Sequence, residues 1–380
     1  MNRRRGRGAP RSSRVDTGEW KSKNPSWRES QDQGLKREDK LRECVPKGMC
    51  QTMCPAFEMQ QRQSQHCLHQ YEILAGTERD RQPRADPRRT VKEYSRPAAG
   101  KDSTNPRELR PPDVLLKTVH YLIDQIATSP KLEWTEVYGF VFDRLRAVKQ
   151  DMIIQRLSGS DCVTVLEQAV RFHVLATYRL CREPLRLFDP KINDMHLQEF
   201  LSWLLDCYVT DSTSNANQEE YEALNLLYNL GSTQALQRII QLPVGLRRTP
   251  DISLALSINR AYLERNPVRL LRLAKKLNFM QTCAIHRNLV SCRRDLLLIY
   301  SHGFSSRSCS FPLEKLSHLL DLDEYYTSQF CQLYGVKISS ENKVLFMKSD
   351  FADPEQGKGQ CFHNHNILAE KLKLLSIKSF

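Results

Sequence analysis

The chain has 380 residues, too many for one small domain, and this length favours two or three units of about 100–200 residues each. Twelve cysteines are scattered along it, and the N-terminus has no apolar stretch typical of a secretory signal. The longest apolar stretches, such as residues 296–300, are much shorter than the roughly 18 residues of a membrane span. We therefore expect neither a disulfide framework nor membrane insertion, and we predict free thiols in a reducing compartment, the cytosol or the nucleus.

Positive charge is concentrated in the N-terminal part of the chain. The net charge is +13, and residues 1–101 contain 23 Lys and Arg against 13 Asp and Glu. A basic arm of this kind is typical of a region that binds nucleic acid, an acidic protein or an import receptor, and a solvated tail explains it equally well. Residues 1–43 show no apolar periodicity, and we predict that they form a disordered basic tail.

Residues 44–110 are dominated by cysteine, proline and charged side chains. Only a short stretch near residues 58–72 has helical periodicity, and Pro83, Pro87, Pro97 and Pro106 interrupt any longer helix. The sequence therefore predicts an extended segment that packs on the neighbouring core.

From Pro111 the sequence predicts one helix after another. Pro111 and Pro112 precede Asp113, which we predict as the N-cap of the first helix. No exact repeat period occurs, so we predict a mainly α, irregular helical-repeat solenoid over residues 111–303. The apolar stripes with three-and-four spacing fall in residues 115–126, 134–148, 163–177, 197–208, 224–228, 236–240, 252–263, 268–277 and 284–300.

Residues 304–350 change character again. We predict a helix over 312–320, a turn, a second helix over 324–334 that ends at Gly335, and two short β-rich runs at 336–338 and 344–348. Helix, turn, helix, strand, turn and strand is the order of a winged helix, which we predict here. Residues 351–380 form a predicted tail with a terminal amphipathic helix over 366–375.

Cysteine and histidine are dense near the start of the extended segment. Zn²⁺ prefers four thiolate or imidazole ligands, and Cys50 and Cys54 have a spacing that one ligand pair could use. Cys67 and His69 form a poor second pair, and small buried cysteines explain the pattern better. We therefore predict neither a metal nor another cofactor.

Sequence motifs of catalysis are missing. The chain has no Gly-x-Ser-x-Gly turn, no glycine-rich phosphate loop and no His-Glu-x-x-His pair. Together with the helical pattern, this predicts a protein that is not an enzyme and has no small-molecule substrate.

Residues 143–151 are charged on a helix whose other face is apolar. Ordinary ion pairing on the surface explains them, or they form a fixed polar network that clamps the preceding cysteine- and proline-rich segment.

Basic residues near the predicted wing are candidates for contact with nucleic acid or a protein partner. Such side chains bind phosphate with strong salt dependence when they share a face, whereas single doublets are usually solvated. The candidates are Lys337, Lys343 and Lys348 on the wing, and the doublet Arg293 and Arg294.

Several blocks together resemble the Sac/GANP family of eukaryotic proteins. Residues 50–55 resemble its Cys-x-x-Met-Cys-Pro opening, residues 91–100 its Val-Lys-x-Tyr-x-Arg block, and residues 143–155 its Asp-Arg-x-Arg signature. Residues 226–231 and 265–273 also fit, and the resemblance runs from about Cys44 to Asp350. The motif residues, which we predict to be structural, are Cys50, Cys54, Pro55, Lys92, Tyr94, Arg96, Asp143, Arg144, Arg146 and Asp151.

The resemblance implies a TPR/PCI-like helical repeat followed by a winged helix. In the longer relatives, this unit belongs to a nuclear complex that couples transcription to mRNA export; it pairs there with a PCI-domain protein beside a small acidic subunit and binds RNA. The short vertebrate members are associated with centrosome duplication and spindle organisation. Because the resemblance is greatest to the short members, we expect a scaffold in centrosome, spindle and cytoplasm that acts in mitotic progression. The alternative is an RNA-binding export subunit in the nucleus.

Overall fold

The structure, a computed structural model, describes residues 45–96, 105–129, 132–210 and 216–353. The predicted basic tail over 1–43 and the predicted terminal helix over 366–375 lie outside these ranges. The fold below is that of the described residues from Pro46 onward.

Helices account for most of the described chain, as the mainly α prediction requires. The α-helices are α1 (Ala56–Ser64), α2 (Pro112–His120), α3 (Trp134–Ile154), α4 (Ser160–Arg179), α5 (Pro190–Thr210), α6 (Gln218–Tyr228), α7 (Thr233–Gln241), α8 (Val244–Arg247), α9 (Pro250–Leu263), α10 (Pro267–Ala274), α11 (Phe279–Gly303), α12 (Leu313–Leu320) and α13 (Glu324–Leu333). A 3₁₀ turn covers Gln70–Glu72, and a π-helical turn, Tyr121–Ile126, continues α2. The strands are β1 (Ser310–Pro312), β2 (Lys337–Ile338) and β3 (Lys343–Leu345).

Neighbouring helices pack side by side around one continuous apolar core. α4 packs on α5, α6 on α9, and α9 on α10, while the long α11 packs on both α4 and α6. This arrangement agrees with the predicted helical-repeat solenoid. Within the described ranges, no helix is both long enough and apolar enough to span a membrane.

Proline and asparagine set the starts of several helices. Pro250 and Pro267 occupy the first turns of α9 and α10, where a missing N–H costs nothing. Asn278 caps α11 by accepting a hydrogen bond from the N–H of Gln281, 2.9 Å away. The predicted N-cap at Asp113 is wrong: α2 begins at Pro112, so Asp113 lies inside the first turn, where a carboxylate still favours the helix dipole.

Residues 304–353, which we call the terminal unit, contain two helices and a small antiparallel sheet. The strand order is β1-β3-β2, with Phe311 opposite Val344 and Ile338 opposite the same residue on the other side. α13 ends as predicted, since Gly335 follows with a φ of +75°. The sequence missed β1, whose three residues pair only with the distant β3. The predicted order of helices and strands is present, whereas the winged-helix assignment stays a prediction.

Aromatic side chains join the terminal unit to α11. The ring centroids of Tyr300 and Phe346 lie 5.6 Å apart, as do those of Tyr300 and Phe311. Edge-to-face contacts of this kind add to the apolar burial that holds two elements together.

Candidate functional site

A buried carboxylate, that of Glu72, gathers charged residues from distant parts of the chain. The Nη1 atom of Arg62 lies 2.6 Å from Glu72 Oε2, and the Nη2 atom of Arg144 lies 3.3 Å from Glu72 Oε1. The same Arg144 Nη2 lies 2.9 Å from Glu93 Oε1. The backbone N–H of Val91 also donates to Glu72, at 3.0 Å. We call Arg62, Glu72, Glu93 and Arg144 the charge network.

Three of the four residues of the charge network are buried, and the fourth, Glu93, is partly exposed. Glu72 is 0% exposed and Arg62 only 4% exposed. Burial acts to lower the pKa of Arg62, but the carboxylate of Glu72 outweighs it, so the pKa lies above its ordinary value. The second nitrogen of the guanidinium, Nη2, donates to the carbonyl of Val91 at 2.8 Å and to the sulfur of Cys54 at 3.4 Å. Arg62 is therefore a permanent cation that ties α1 to the strand-like chain around Val91.

A second buried ion pair involves Asp151, which lies about two helical turns after Arg144 on α3. Asp151 receives the Nε–H of Arg110 at 2.7 Å, and both side chains are 0% exposed. The ammonium group of Lys92 reaches the other oxygen of Asp151 at 2.8 Å. Gln155, the residue that follows the last turn of α3, donates a side-chain hydrogen bond to the carbonyl of Arg110 at 2.8 Å. One face of α3 thus binds two separate stretches of the preceding segment.

Gly48 lies where the start of the segment meets residues just before α2. Its N–H donates to the Oε1 atom of Gln155 at 2.8 Å. A Cβ atom at this position would approach the backbone of Leu109, Arg110 and Pro111 to 2.7 Å. Any other residue would therefore force the two stretches of chain apart.

Further motif residues complete the contact between the segment and α3. The carboxylate of Asp143 accepts the N–H of Tyr94 at 3.2 Å, and it also accepts from its neighbour Arg144 at 2.6 Å. The guanidinium carbon of Arg146 lies 3.8 Å from the centre of the Tyr94 ring. Arg96 is exposed and has no ion pair within the described residues. Residues 143–151 therefore form a fixed polar network that holds the cysteine- and proline-rich segment, which is one of the two interpretations of their sequence. We call these contacts between the segment and α3 the clamp.

Two cysteines of the segment, Cys50 and Cys54, are packed inside the protein. Pro55 is the N-cap residue of α1. Burial raises the pKa of the Cys54 thiol to about 12, so it stays protonated near neutral pH. Cys67 is exposed. Over the ranges that the structure covers, no group of three or more His, Cys, Asp or Glu side chains is placed to hold a metal ion.

The predicted contact residues of the terminal unit are largely paired with acids. The ammonium of Lys337 lies 2.9 Å from Asp350, and that of Lys343 lies 2.7 Å from Glu341. Lys348 is exposed and has no acidic partner among the described residues. Contact of these lysines with RNA or a protein stays a prediction.

The doublet on α11 divides into one buried and one partly exposed residue. Arg293 is 2% exposed, and its guanidinium donates to the carbonyls of Leu320 at 2.7 Å and Asp321 at 3.2 Å. Arg293 therefore holds the end of α12 against α11. The prediction that it contacts nucleic acid or a protein partner is corrected, because its side chain is buried. Arg294 pairs with Asp353 and with the adjacent carboxylate on α11.

Sequence reasoning missed the two residues that complete the buried pairs, Glu72 and Arg110. A usable signal was present for Glu72, which lies between Tyr71 and Ile73, whereas Arg110 lies in a charged stretch and carries no such signal. A charged residue inside a short apolar stretch is a candidate for a buried, paired charge.

Comparison with known proteins gives a consistent result. The SAC3/GANP family model matches residues 53–340, which covers α1, the clamp, the helical region and most of the terminal unit. The chain is 26% identical over 321 residues to SAC3 family protein 1 of Schizosaccharomyces pombe, which covers 78% of this chain and 31% of that protein.

Two further relatives align over a similar length. Protein xmas of Drosophila melanogaster is 27% identical over 323 residues, covering 81% of this chain and 15% of the relative. SAC3 family protein B of Arabidopsis thaliana is 23% identical over 319 residues, covering 80% and 18%. The chain therefore spans less than a third of the length of these curated relatives.

Proposed function

Because the chain belongs to the SAC3/GANP family, we propose that it is a non-catalytic scaffold that assembles other proteins in centrosome duplication, spindle organisation and mitotic progression. The observation that carries the scaffold assignment is the clamp. Its central pairs, Arg62 with Glu72 and Arg110 with Asp151, are buried and matched in charge, which is typical of a structural contact. The mitotic role rests on the resemblance to the short vertebrate members of the family.

The proposed partners are proteins: centriolar proteins for the mitotic scaffold, and a PCI-domain protein with a small acidic subunit for the nuclear alternative. The proposed location of the scaffold is the centrosome, the spindle and the cytoplasm. Affinity purification of the full chain in mild salt, with identification of the bound proteins, tests this. Recovery of centriolar proteins supports the mitotic scaffold. Recovery of a PCI-domain protein with its acidic companion, and no centriolar protein, favours the nuclear alternative.

A depletion experiment separates the two roles in cells. If the chain acts in centrosome duplication, its loss should produce abnormal centrosome numbers and multipolar spindles, and the wild-type chain should restore both. The distribution of polyadenylated RNA between nucleus and cytoplasm should not change. Nuclear retention of that RNA with normal centrosomes would contradict the mitotic proposal.

The second candidate function is that of an RNA-binding subunit of a nuclear mRNA export complex. Lys348 supports it, because this exposed ammonium has no acidic partner in the described chain, and the neighbouring pairs of Lys337 and Lys343 are exposed enough to exchange for phosphates. A titration of RNA binding with salt tests it. Binding that is absent near about 50 mM salt, or unchanged when the three lysines are replaced by Gln, excludes phosphate contact there.

A further inference from the structure

A cavity of about 400 Å³ lies beside α4, away from the clamp. The π-helical turn after α2 contributes Ile123 and Ala127 to its wall, and the first residue of α3 contributes Trp134. Phe172 and Leu175 of α4 form its apolar floor. The volume is in the range of pockets that hold a small ligand or one or two side chains of a peptide.

The cavity is lined by a single face of α4. Gln168, Arg171, Phe172, Leu175 and Arg179 line it, at positions i, i+3, i+4, i+7 and i+11 of the helix. This spacing places all five on one side of the helix. The apolar pair Phe172 and Leu175 therefore lies between polar residues on this face of α4.

Three residues of the cavity wall each hold a buried polar atom without a hydrogen-bond partner among the described residues: the Nε1 atom of Trp134, the Oε1 atom of Gln168 and the Nε atom of Arg171. Because these atoms are closed to water, they lie behind the accessible wall, and that wall is mainly apolar. An apolar side chain therefore fits the cavity better than a polar one.

The rim of the cavity carries an unmatched positive charge. The guanidinium carbon of Arg179 lies 5.1 Å from the centre of the Trp134 ring. No carboxylate lies within ion-pair distance of Arg179 in the part of the chain that the structure describes, whereas Arg171, two turns earlier, pairs with Glu220 at 2.7 Å. A carboxylate of a bound partner would form an ion pair with Arg179, as Glu220 does with Arg171.

We propose that this cavity, the docking pocket, binds a short acidic peptide segment of a partner protein. An apolar side chain of the segment lies on Phe172 and Leu175, beside the ring of Trp134. A neighbouring Asp or Glu of the segment pairs with Arg179. The proposal goes beyond the function proposed above, since it holds for either cellular role of the scaffold.

Binding of defined peptides to the full chain tests the proposal. The probes are fluorescein-labelled ten-residue peptides with Phe and Leu between Asp and Glu residues, together with matched peptides in which Lys replaces the acids or Ser replaces Phe and Leu. At a salt concentration of about 0.15 M, we expect the acidic apolar peptides to bind about tenfold more tightly than either matched set, as measured by fluorescence anisotropy.

Variants at the rim decide whether this site is responsible. Arg179→Glu should weaken binding of the acidic peptides about tenfold, because it replaces attraction by repulsion. Arg186→Glu is the matched control, since it makes the same charge change at an exposed position outside the pocket and should leave binding within about twofold. Equal losses in both variants, or no loss in Arg179→Glu, would overturn the proposal.

A second variant fills the pocket. Ala127→Trp places a large ring in the cavity and should abolish peptide binding, while circular dichroism and the thermal midpoint report whether the fold persists. If the folded variant binds the acidic peptides like wild type, the proposal fails. It also fails if none of the peptides bind, or if a single-stranded RNA oligonucleotide binds in their place and is lost in Ala127→Trp.

Discussion

The charge network and the terminal unit use the same chemical groups in opposite surroundings. In the network, the side chains of Arg62 and Glu72 are 5% and 0% exposed. In the terminal unit, those of Lys337 and Asp350 are 71% and 23% exposed. The two ion pairs have similar nitrogen–oxygen distances but contribute differently to stability. Water and salt screen the second pair and are excluded from the first.

The difference lies mainly in what remains when one partner is removed. An exposed lysine that loses its carboxylate is solvated at once, so the pair contributes little. A buried guanidinium that loses its carboxylate stays in a medium of low polarity as an uncompensated charge. The burial of an ion pair, more than its nitrogen–oxygen distance, decides whether the stability of the fold depends on it.

The largest expected effect comes from Glu72→Gln. This change keeps the shape of the side chain and leaves Arg62 and Arg144 with one counter-charge fewer, so we expect a loss of about 3–5 kcal/mol in the free energy of unfolding. Urea denaturation followed by circular dichroism measures it. Glu341→Gln is the matched control, because its exposed partner Lys343 remains in water, and no measurable change is expected. Equal losses in the two variants would remove the contrast between the regions.

Gly48→Ala tests the approach of the segment to the residues before α2. The added methyl group meets three backbone groups that cannot turn away, and we expect a loss of up to about 3 kcal/mol. Gly139→Ala, in the middle of α3 with open space around it, should instead stabilise the chain by about 0.5–1 kcal/mol. If both variants shift the unfolding midpoint in the same direction, the close approach at Gly48 does not constrain the fold.

His173 extends the comparison to a buried group that has no ion pair within the described part of the chain. Its side chain is 1% exposed, and its Nδ1 atom lies 2.7 Å from Asn193 Oδ1. Burial lowers its pKa to about 4, against an ordinary value near 6.5, so between these values the unfolded chain binds a proton that the folded chain does not. Stability is therefore complete above about pH 6.5 and falls as the pH is lowered towards 4.

The expected loss from this residue is about 2 kcal/mol between pH 7 and pH 5. Urea denaturation at the two pH values measures it, in wild type and in His173→Gln. The variant should be less stable at pH 7 and should lose about 2 kcal/mol less on acidification. An unchanged pH dependence in His173→Gln would show that other groups account for the loss.

The smallest effect is expected from Asp353→Asn, which breaks the partly exposed pair with Arg294. We expect a loss below about 1 kcal/mol, and a smaller one at high salt. Thermal unfolding at two NaCl concentrations checks both statements. A salt-independent loss as large as that of Glu72→Gln would place this pair in the same class as the charge network.

Sequence patterns predicted the elements whose causes are local. The apolar periodicity of residues 134–148 indicated α3, and Gly335 marked the end of α13, since each signal lies within or directly beside the element that it describes. The first cap failed for a local reason as well, because Pro112 can occupy the first turn and displaced the cap from Asp113 to Pro111.

The parts that depend on distant pairing were not predictable in the same way. β1 has three residues, and only its pairing with β3 makes it a strand. Only part of the candidate site was predictable from the sequence. The motif blocks supplied Asp143, Arg144 and Asp151. Nothing in their spacing identified Glu72 or Arg110 as their partners. A single sequence carries the charge of a residue and not the identity of the group that neutralises it.

The separation of those partners along the chain has a consequence for synthesis on the ribosome. Glu72 and Arg144 are 72 residues apart, and Gly48 and Gln155 are 107 apart. At a translation rate of about 5–20 residues per second, the nascent segment with Glu72 waits roughly 4–14 s for Arg144 to be made. During that interval Glu72 can pair with Arg62 but not with Arg144, so the newly made N-terminal segment cannot complete the charge network. A chaperone that shields this segment until α3 emerges would raise the yield of folded protein.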